Sequence, residues 1–438
     1  MARTFQNIKG TFDILPDASS TDGATIPGSA AWQHVESVVR EVMQRFNLEE
    51  IRTPILEETE LVARGLGQLS DVVSKEMFSF ERGDTSYVLR PEVTAPVMRA
   101  YLQHRLDQRG GVQKLFYIGP CFRAERPQKG RYRQFHQFGC EIIGADDPRA
   151  DAETIALMLA VYDALGVQNT DLRINTLGDA ESRPRYRQAL QEYFRPYAAR
   201  LNETSRKRLE TNPLRILDTK DERERELVEG APRLIDYVST ESRAKYEDVK
   251  AYLDALGIAY REDFFLVRGL DYYTHTAFEL ESPDLGAQSA LAGGGRYDLL
   301  AMEIGAKEPV PAVGFAAGME RLFLALHAQG VELPGSAEPD VFMVALGDDA
   351  TRWAFQRAHE LRADGLRVGL DLKGRSMKAQ MREANRQRAR YTVIVAQDEL
   401  EAGIVQLKEM QTGEQVQVPG SRIAEHVRSR AKDATVTQ

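Results

Sequence analysis

Residues 266–273 read Leu266-Val267-Arg268-Gly269-Leu270-Asp271-Tyr272-Tyr273, a stretch that sets an arginine shortly before a pair of tyrosines. Two more arginines stand in short runs far away along the chain, Arg123 in Phe-Arg-Ala-Glu and Arg321 in Gly-Met-Glu-Arg. Arginine forms planar, bidentate hydrogen bonds to phosphate and keeps its charge at any working pH. Three arginines on separated elements therefore predict a polyphosphate clamp. Considered singly, each could instead pair with a nearby acid such as Asp271 or Glu320.

The composition is that of a folded protein with more than one domain. The 438 residues exceed one typical core, and 42% are hydrophobic and 28% charged. No apolar run approaches the roughly 18 residues of a membrane span and no leader pattern is present, so a cytoplasmic protein without membrane association is expected. Two cysteines and seven histidines without ligand spacing predict neither a disulfide framework nor a metal site. A net charge of −9 argues against nonspecific coating of nucleic acid but allows local basic faces.

Apolar periodicity predicts a helix followed by a sheet in the first part of the chain. Apolar residues at helical spacing predict an amphipathic helix over 30–46. Short apolar runs at 114–118, 138–143 and 277–280, bounded by Gly and Pro, predict strands of a mixed or antiparallel sheet. The stretch 18–29 is rich in Ser, Thr, Gly and Pro, which predicts a flexible surface loop.

Changes in composition divide the chain into domains. Residues 181–259 are dense in charges of both signs and poor in strand signal, which predicts a helical insertion within a first domain over 1–330. A linker is expected at 331–339 because Gly, Pro and Ser are frequent there. Alternating strand and helix patterns over 340–431 predict a small parallel α/β domain, followed by a tail at 432–438.

A basic cluster marks the second domain. Its members, with the single acid Glu383 among them, are Lys373, Arg375, Lys378, Arg382, Arg386, Arg388 and Arg390. The cluster predicts a stripe that faces RNA. A solvated helix face remains an equally simple interpretation of the charge pattern alone.

Several runs resemble the signature motifs of the class II aminoacyl-tRNA synthetases. Residues 122–127, Phe-Arg-Ala-Glu-Arg-Pro, followed by Arg-Tyr-Arg-Gln-Phe-His-Gln at 131–137, resemble the second motif in the version of the bacterial-type histidyl-tRNA synthetase family. Residues 314–321 are similar to the third motif, and the helix before Pro54 resembles the first, which forms the dimer interface in that family. These class motifs are loose in sequence.

Two further runs resemble signatures that are specific to histidine enzymes, the opening stretch 266–273 and Ala-Gly-Gly-Gly-Arg-Tyr-Asp at 292–298. The resemblance implies a multidomain α/β protein: a class II antiparallel-sheet catalytic domain with a helical insertion, plus a C-terminal α/β anticodon-binding domain. It implies a homodimer that activates L-histidine with ATP and Mg²⁺ to histidyl-adenylate and pyrophosphate, then transfers histidine to the 3′-terminal ribose of histidine tRNA.

The resemblance also assigns the arginines of the clamp. It implies that Arg123 contacts the α-phosphate, Arg321 the triphosphate tail, and Arg268 both the substrate carboxylate and the α-phosphate, with Glu125 beside the ATP. Arg268 and Arg123 are the expected catalytic residues, and both are expected to border the histidine. Forming an adenylate brings two anions together and builds charge on pyrophosphate, so positive charge and positioning are the main requirements.

Other matching positions imply how histidine is recognised. Residues 89–94 match the loop that binds the α-ammonium group through Glu92, Val93 and Thr94, assisted by Gln137. Acidic and amide acceptors suit an ammonium group.

The imidazole is expected to be bound by Glu141 and Tyr273, which match positions that bond its two nitrogens, while Tyr272 and Tyr297 form the pocket wall. Considered singly, a buried Glu is more often paired in a core and a Tyr pair more often packs than binds. The shared motif register favours binding.

Two groups of residues are expected to contact tRNA. Gln128 and Arg131 lie in the loop after Arg123, which in this family reaches the acceptor end, although a surface loop without a partner remains an alternative. In the second domain the candidates are Lys373, Arg375 and Lys378.

Two features depart from the simplest pattern. The triple glycine 293–295 lacks the Lys-Ser or Lys-Thr of a phosphate loop and is better suited to a close approach of backbone to substrate. His275 stands where the family commonly has a small residue, which predicts altered packing at the pocket rim.

Two competing functions follow from the same family. One is a histidine-binding regulatory subunit of ATP phosphoribosyltransferase, a paralogue that typically lacks the terminal domain and parts of the 266–273 signature. The other is a nucleic-acid-binding accessory protein, which would have lost Arg123, Arg268 or Arg321. This chain keeps the signature, the arginines and the predicted terminal domain.

Overall fold

The computed structural model describes residues 5–21, 24–67, 70, 72–219, 221–270 and 272–435. Asp271, a candidate partner of Arg268, lies outside these residues. The chain divides into two compact units, Met1–Gly335 and Ser336–Gln438. No helix in the described ranges is long and apolar enough to cross a membrane.

The first unit contains a large sheet, two small sheets and helices on both sides of the large one. Its strands are β1 Ser19–Thr21, β2 Ala24–Ile26, β3 Glu49–Glu50, β4 Leu56–Glu58, β5 Phe78–Arg82, β6 Thr85–Leu89, β7 Gln113–Phe122, β8 Gln134–Ile143, β9 Asp171–Thr176, β10 Arg261–Glu262, β11 Thr274–Glu281, β12 Ala290–Arg296 and β13 Ala312–Gly318. Its helices are α1 Ser29–Arg45, α2 Thr59–Leu66, α3 Thr94–Gln103, α4 Pro148–Ala164, α5 Ser182–Phe194, α6 Glu203–Thr211, α7 Glu222–Glu229, α8 Thr240–Ala255, α9 Leu300–Glu303 and α10 Met319–Ala328.

The large sheet has the strand order β10-β9-β11-β12-β13-β8-β7-β3. Its central pairs are antiparallel, from β9 with β11 through to β7 with β8, and the short end strands β10 and β3 pair in parallel with their neighbours. The predicted mixed or antiparallel sheet is confirmed. A β7–β8 hairpin of two ten-residue strands forms its longest element pair.

One face of the sheet is covered by helices that form the main apolar core. Helix α1 buries Trp32, Val35, Val39, Val42 and Met43, which is the apolar stripe that the periodicity predicted. Helix α4 packs against α1 and α8. Burial of each such side chain contributes about 1.5–3 kcal/mol, so this face anchors the fold and leaves the other face for the site.

The prediction of a flexible loop over 18–29 was wrong. Strands β1 and β2 pair in an antiparallel manner there, Ser19 opposite Ile26 and Ser20 opposite Thr25. Ala24 and Ile26 are buried, and β2 lies against α10. Three-residue strands are too short to give an alternating pattern that stands out from a Ser- and Thr-rich composition.

The region 181–259 contains helices α5 to α8 and, among its described residues, no strand. The helix α8 contributes Tyr246, Val249 and Leu253 to the core beneath the large sheet. The last helix of the predicted insertion is therefore part of the main core. The predicted domain boundaries stay predictions.

The second unit is a mixed sheet with helices. Its strands are β14 Val341–Ala345, β15 Val368–Leu370, β16 Tyr391–Val395, β17 Ile404–Glu409 and β18 Gln415–Pro419, and its helices are α11 Asp348–Ala363, α12 Met377–Arg386, α13 Gln397–Ala402 and α14 Ile423–Thr435. The helix α14 enters the predicted tail, of which residues 436–438 lie outside the described residues.

Strands β15, β14 and β16 are parallel, as predicted, but β17 and β18 continue the sheet in an antiparallel direction. The prediction of a purely parallel sheet was therefore incomplete. The missed strands include Val405 and Leu407, which alternate with Gln406 and are buried on one side only. Such half-polar strands give a weaker signal than the apolar runs of central strands.

Candidate active site

The large sheet separates core from site by the alternation of its side chains. On β8, Phe138, Cys140 and Ile142 belong to the core cluster under the helices. Successive side chains of a strand point to opposite faces, so Gln137 and Glu141 lie on the other face. The candidate site is built on that second face.

Glu141 lies at the centre of a buried cluster of hydroxyl groups. Thr94 Oγ1 and Tyr117 OH donate to its Oε1 at 2.7 and 3.3 Å, and Tyr297 OH donates to its Oε2. Burial raises the pKa of Glu141 to about 8; the negative charge of Glu92 adds to the rise and the three hydroxyls oppose it. A carboxyl with this pKa can accept or donate a hydrogen bond near neutral pH.

Glu92 holds the start of α3. Its Oε2 accepts from the backbone N–H of Thr94 at 2.6 Å, and its Oε1 accepts from that of Ala95 at 3.0 Å. Burial raises the pKa of Glu92, while the backbone donors and the positive charge of Arg123 oppose the rise. Val93 is buried in an apolar cluster, so its side chain packs beside the polar groups. The loop presents a second buried carboxyl on the site face.

Three buried tyrosines form a wall beside these acids. The ring centroids of Tyr272 and Tyr273 are 4.6 Å apart, and those of Tyr272 and Tyr297 are 5.6 Å apart in an edge-on arrangement. The guanidinium carbon of Arg268 lies 5.6 Å from the ring centre of Tyr273. The aromatic wall therefore joins the acidic pocket to the first arginine of the clamp.

Arg268 is fixed between β11 and β12. Its Nη1 donates to Glu279 Oε2 at 2.5 Å. A Cβ at Gly293 would lie 2.2 Å from its Nη2, so this glycine makes room for the guanidinium. Arg268 Nε is buried and has no acceptor among the residues that the structure describes. A buried donor without an acceptor costs about 1–3 kcal/mol, so this position suits an anionic oxygen from a ligand.

Arg123 follows the end of β7. Its Nε donates to the backbone oxygen of Pro91 at 3.0 Å, and its guanidinium lies 5.3 Å from the ring centre of Phe135. Its Nη1 is 3.9 Å from Glu125 Oε1, and the other oxygen of Glu125 accepts from Arg131 Nη1 at 3.1 Å. Glu125 thus lies between two arginines.

Arg321, the third arginine of the predicted clamp, lies in the first turn of α10. Its Nη1 donates to the backbone oxygen of Ala290 at 2.8 Å and its Nη2 donates to Gln288 Oε1 at 3.2 Å. Burial lowers the pKa of Arg321, and the positive charges of Arg131 and Arg123 lower it further. Arg321, Arg131 and Arg123 are therefore close enough for their charges to interact, and the negative charge of Glu279 acts on both Arg321 and Arg268. The joint action of Arg123, Arg268 and Arg321 as a clamp stays a prediction.

His136 and Glu320 connect β8 to the start of α10. The backbone N–H of His136 donates to Glu320 Oε1 at 2.9 Å, and His136 Nδ1 is 2.9 Å from the same oxygen. The ring of Trp32 from α1 packs edge-on at 4.9 Å from the His136 ring. Next along β8, Gln137 Oε1 accepts from the buried thiol of Cys121 at 3.3 Å. Glu320 therefore pairs with a histidine and not with the neighbouring arginine.

His275 has a left-handed backbone, with φ of 48°. Its Nδ1 is 3.1 Å from Ser242 Oγ of α8, and its Nε2 is 3.9 Å from Asp298 Oδ2. The ring thus packs toward α8, and the tyrosine pair, which Thr274 separates from His275, stays on the site face.

The residues predicted to contact tRNA lie in two surroundings. Gln128 and Arg131 form a tight turn through backbone hydrogen bonds of 3.1 and 2.8 Å. In the second unit Lys373 and Lys378 are exposed, whereas Arg375 Nε is bound to Asp371 at 2.5 Å. The charge of Arg375 is therefore already paired.

The structure adds residues that sequence reasoning missed, namely Tyr117, Glu279, Gln288 and the His136–Glu320 pair. Tyr117 and Glu279 occupy strands as single polar residues among apolar neighbours, which is the weak signal that could have indicated them. Gln288 gives no local signal. Among the described residues, no group of three or more His, Cys, Asp and Glu side chains is arranged to hold a metal.

Comparison with known proteins gives consistent results for the whole chain. The histidyl-tRNA synthetase family model matches residues 27–322, and the anticodon binding domain model matches residues 340–430. The histidine–tRNA ligase of Chloroherpeton thalassium is 51% identical over 94% of this chain and 95% of its own length, and that of Chlorobium phaeovibrioides is 50% identical over 97% and 98%. The crystal structure of apo Staphylococcus aureus histidyl-tRNA synthetase has a TM-score of 0.80 and 38% identity, covering 97% of this chain and 100% of that one.

Proposed function

The chain belongs to the histidyl-tRNA synthetase family, and from that premise we propose how its residues divide the reaction among them. The enzyme is a histidine–tRNA ligase: it activates L-histidine with ATP to histidyl-adenylate and pyrophosphate, then transfers histidine to the 3′-terminal ribose of histidine tRNA. The observation that carries the division is the junction of the Glu141 pocket with Arg268 through the tyrosine wall.

Histidine recognition is assigned to the acidic pocket. Glu141 bonds one imidazole nitrogen and Tyr273 the other, with Tyr272 and Tyr297 as the wall. A neutral imidazole has one donor and one acceptor nitrogen, and a carboxyl that titrates near neutrality matches either. A pocket that hydrogen-bonds its substrate can reject analogues without those groups by about 10⁴- to 10⁵-fold, because its own buried groups would be left unpaired.

The α-ammonium group is assigned to Glu92 and Thr94 with Gln137. Glu92 is buried, and burial opposes its ionisation. A bound ammonium ion supplies the compensating charge, so histidine and the ionised form of Glu92 stabilise each other. Val93 contributes through its backbone, since its side chain is packed in the core.

Adenylate formation is assigned to the arginine clamp. A histidine carboxylate oxygen attacks the α-phosphorus, the new P–O bond forms, and the bond to pyrophosphate breaks. The Nε of Arg268, which has no acceptor among the described residues, is suited to the carboxylate or an α-phosphate oxygen, Arg123 to the α-phosphate, and Arg321 to the triphosphate tail. Glu125 orients Arg123 and Arg131. The catalytic residues are therefore Arg268 and Arg123.

Mg²⁺ is proposed to enter with ATP. It neutralises phosphate charge and usually binds through substrate phosphates, several waters and one or two carboxylates, so it needs no protein cage. Glu125 and Glu279 are acids paired with the clamp arginines Arg123 and Arg268, and they would supply such ligands.

Transfer to tRNA is assigned to two regions. The turn of Gln128 and Arg131 faces the acceptor end, and the second unit binds the anticodon through Lys373 and Lys378, with Arg375 as a paired support. The match of 340–430 to an anticodon binding domain favours this assignment over the regulatory-subunit alternative. A cytoplasmic homodimer with α1 at its interface is proposed on the family resemblance, and sedimentation equilibrium of the purified chain tests the dimer.

ATP–pyrophosphate exchange with each of the twenty amino acids tests the assignment of the pocket and the clamp. Exchange is expected with histidine alone. The Arg268→Lys variant keeps the charge but loses the planar donors and should retain only a small part of the exchange rate. Equal exchange by Arg268→Lys and the unmodified enzyme would contradict the role given to the guanidinium.

A further inference from the structure

We propose that Gln288 is a positioning residue of the triphosphate subsite, where its side-chain oxygen holds Arg131 and Arg321 in the arrangement that ATP phosphate oxygens then take over. The inference rests on the proposed role of Arg321 at the triphosphate tail. It adds a residue to the clamp and gives Arg131 a second task beside tRNA.

The geometry is that of one acceptor between two cations. Gln288 ends the short helical segment Pro283–Gln288 just before β12. Its Oε1 accepts from Arg131 Nε at 3.0 Å and from Arg321 Nη2 at 3.2 Å. The two arginines come from different elements, the loop after β7 and the first turn of α10. A single amide oxygen therefore sets the spacing of two guanidinium groups.

The charge of the acceptor decides what this arrangement does. The amide is neutral, so it orients the arginines without cancelling their charge, and Arg321 still experiences the positive charge of Arg131. A phosphate oxygen carries negative charge and a phosphate group can accept two parallel N–H bonds from one guanidinium, whereas the amide oxygen is neutral, so a guanidinium binds phosphate more strongly than the amide. A triphosphate can therefore displace Gln288 from both arginines, and the amide can hold them again after pyrophosphate leaves.

A neighbouring carboxylate shows the contrast. Glu125 accepts from Arg131 Nη1 at 3.1 Å and is the acid bonded to that arginine. Arg321 has only neutral acceptors among its hydrogen-bond partners in the described chain, Ala290, Gln288 and a long 3.4 Å contact to the Gly130 oxygen. The Arg321 side of the pair is thus the one prepared for an incoming anion.

The variants Gln288→Glu and Gln288→Met test the proposal in ATP–pyrophosphate exchange. Glu keeps the length and the acceptor but adds a charge that competes with phosphate, so the KM for ATP should rise about tenfold while the KM for histidine stays unchanged. Met keeps the length and removes the acceptor, so the KM for ATP should rise only about threefold. Inhibition by AMP, which lacks the β- and γ-phosphates, should be the same in all forms.

The control variants distinguish a positioning role at the triphosphate from a general role in the fold. Gln108→Glu adds the same charge at an exposed glutamine and should leave every KM unchanged. The proposal is overturned, and Gln288 is a general structural support, if Gln288→Glu raises the KM values for ATP and for histidine equally. The same conclusion holds if it weakens inhibition by AMP as much as it raises the KM for ATP. If Arg321→Ala raises the KM for ATP while Gln288→Glu does not, the proposed role of Gln288 is overturned and the proposed function of Arg321 stands. If Arg321→Ala has no effect on the KM for ATP, the proposed function of Arg321 fails first.

Discussion

The proposed histidine pocket around Glu141 and the proposed arginine clamp are held in opposite ways. In the pocket, Glu141 is fully buried and three hydroxyl groups donate to its carboxyl, which leaves about one further acceptor position for a ligand. In the clamp, the side chains of Arg268 and Arg123 keep 17% and 23% exposure, and Arg268 retains a donor without an acceptor within the described chain.

The difference follows from what each region has to bind. A pocket that selects a neutral ring gains from groups fixed in advance, because a mismatched ligand then leaves them unpaired. A clamp that stabilises charge growing in the transition state gains from donors that the empty site does not satisfy. The pocket is therefore preorganised by hydrogen bonds within the protein, whereas the clamp contains a donor, Arg268 Nε, that has no acceptor among the described residues.

The largest expected effect comes from removing Arg268, whose Nε has no acceptor among the described residues. Arg268→Ala should slow adenylate formation about 100- to 1,000-fold, the typical loss of one preorganised transition-state donor. Rapid-quench measurement of adenylate in a single turnover gives this rate directly. Arg261→Ala removes an exposed arginine paired with Asp171 and serves as the control, for which no change is expected. A loss confined to histidine affinity, with normal single-turnover chemistry at saturation, would place Arg268 with the pocket and remove the contrast.

The next effect tests the pocket. Glu141→Gln keeps the size of the side chain and one acceptor oxygen but cannot ionise, so the KM for histidine should rise about 10- to 100-fold with little change in the KM for ATP. Steady-state exchange at varied histidine and ATP measures both constants.

Glu224 provides a matched control for that variant. It is equally buried and accepts from Ser205 Oγ and Thr219, but it lies in α7 away from the site. Glu224→Gln should affect thermal stability without altering the KM for histidine. A rise in the KM for histidine in both variants would mean that buried acids act on this enzyme through the fold alone.

A smaller effect is expected in the pH dependence of stability of the ligand-free enzyme. The pKa of Glu141 is about 8 in the folded chain, against an ordinary value of 4.5. Between these values the folded state keeps a proton that the unfolded state releases, so the contribution of Glu141 to stability falls as pH rises through this window. Compared with Glu141→Gln, the unmodified enzyme should lose about 2–3 kcal/mol between pH 5.5 and 7.5 in urea unfolding. A constant difference across that range would show that Glu141 is ionised in the empty pocket.

The sequence predicted the two regions unequally. The clamp arginines are recognisable because motif runs of four to eight residues surround each one, and the sheet is recognisable from apolar runs such as 114–118 and 138–143. The residues that fix the geometry of the arginines and of the pocket could not be recognised from the sequence. Tyr117 and Glu279 reach the site only because strand alternation turns them to the same face, and Gln288 reaches it across a chain separation of 157 residues from Arg131. Long-range pairings of this kind depend on the strand order, which no local pattern contains.

The same limit explains the hairpin at 18–29 and the strands β17 and β18. Both consist of short or half-polar segments whose pairing partners decide their structure. Ion pairing also divides the basic cluster of the second unit in a way that composition could not show, since Arg375 is bound to Asp371 while Lys373 and Lys378 are exposed. Charge alone indicates where cations are, and the acids around them decide which cations remain available.

The smallest effect is expected for the exposed cations Lys373 and Lys378 of the second unit. Lys373→Ala combined with Lys378→Ala should raise the KM for histidine tRNA by only a few-fold, because exposed ion contacts each contribute about 0.2–1 kcal/mol and are screened by salt. Exchange of ATP and pyrophosphate should be unaffected, since these residues belong to the second unit. Aminoacylation at several salt concentrations measures the KM for tRNA, whose salt dependence should become shallower in the variant, and a separate exchange assay measures the first step. Arg352→Ala, an exposed cation paired with Asp349 on α11, is the control. If the control and the double variant raise the KM for tRNA equally, the net charge of the second unit attracts the tRNA, and not Lys373 and Lys378 in particular. If the double variant slows aminoacylation as much as Arg268→Ala does, burial is not what distinguishes the clamp from the surface.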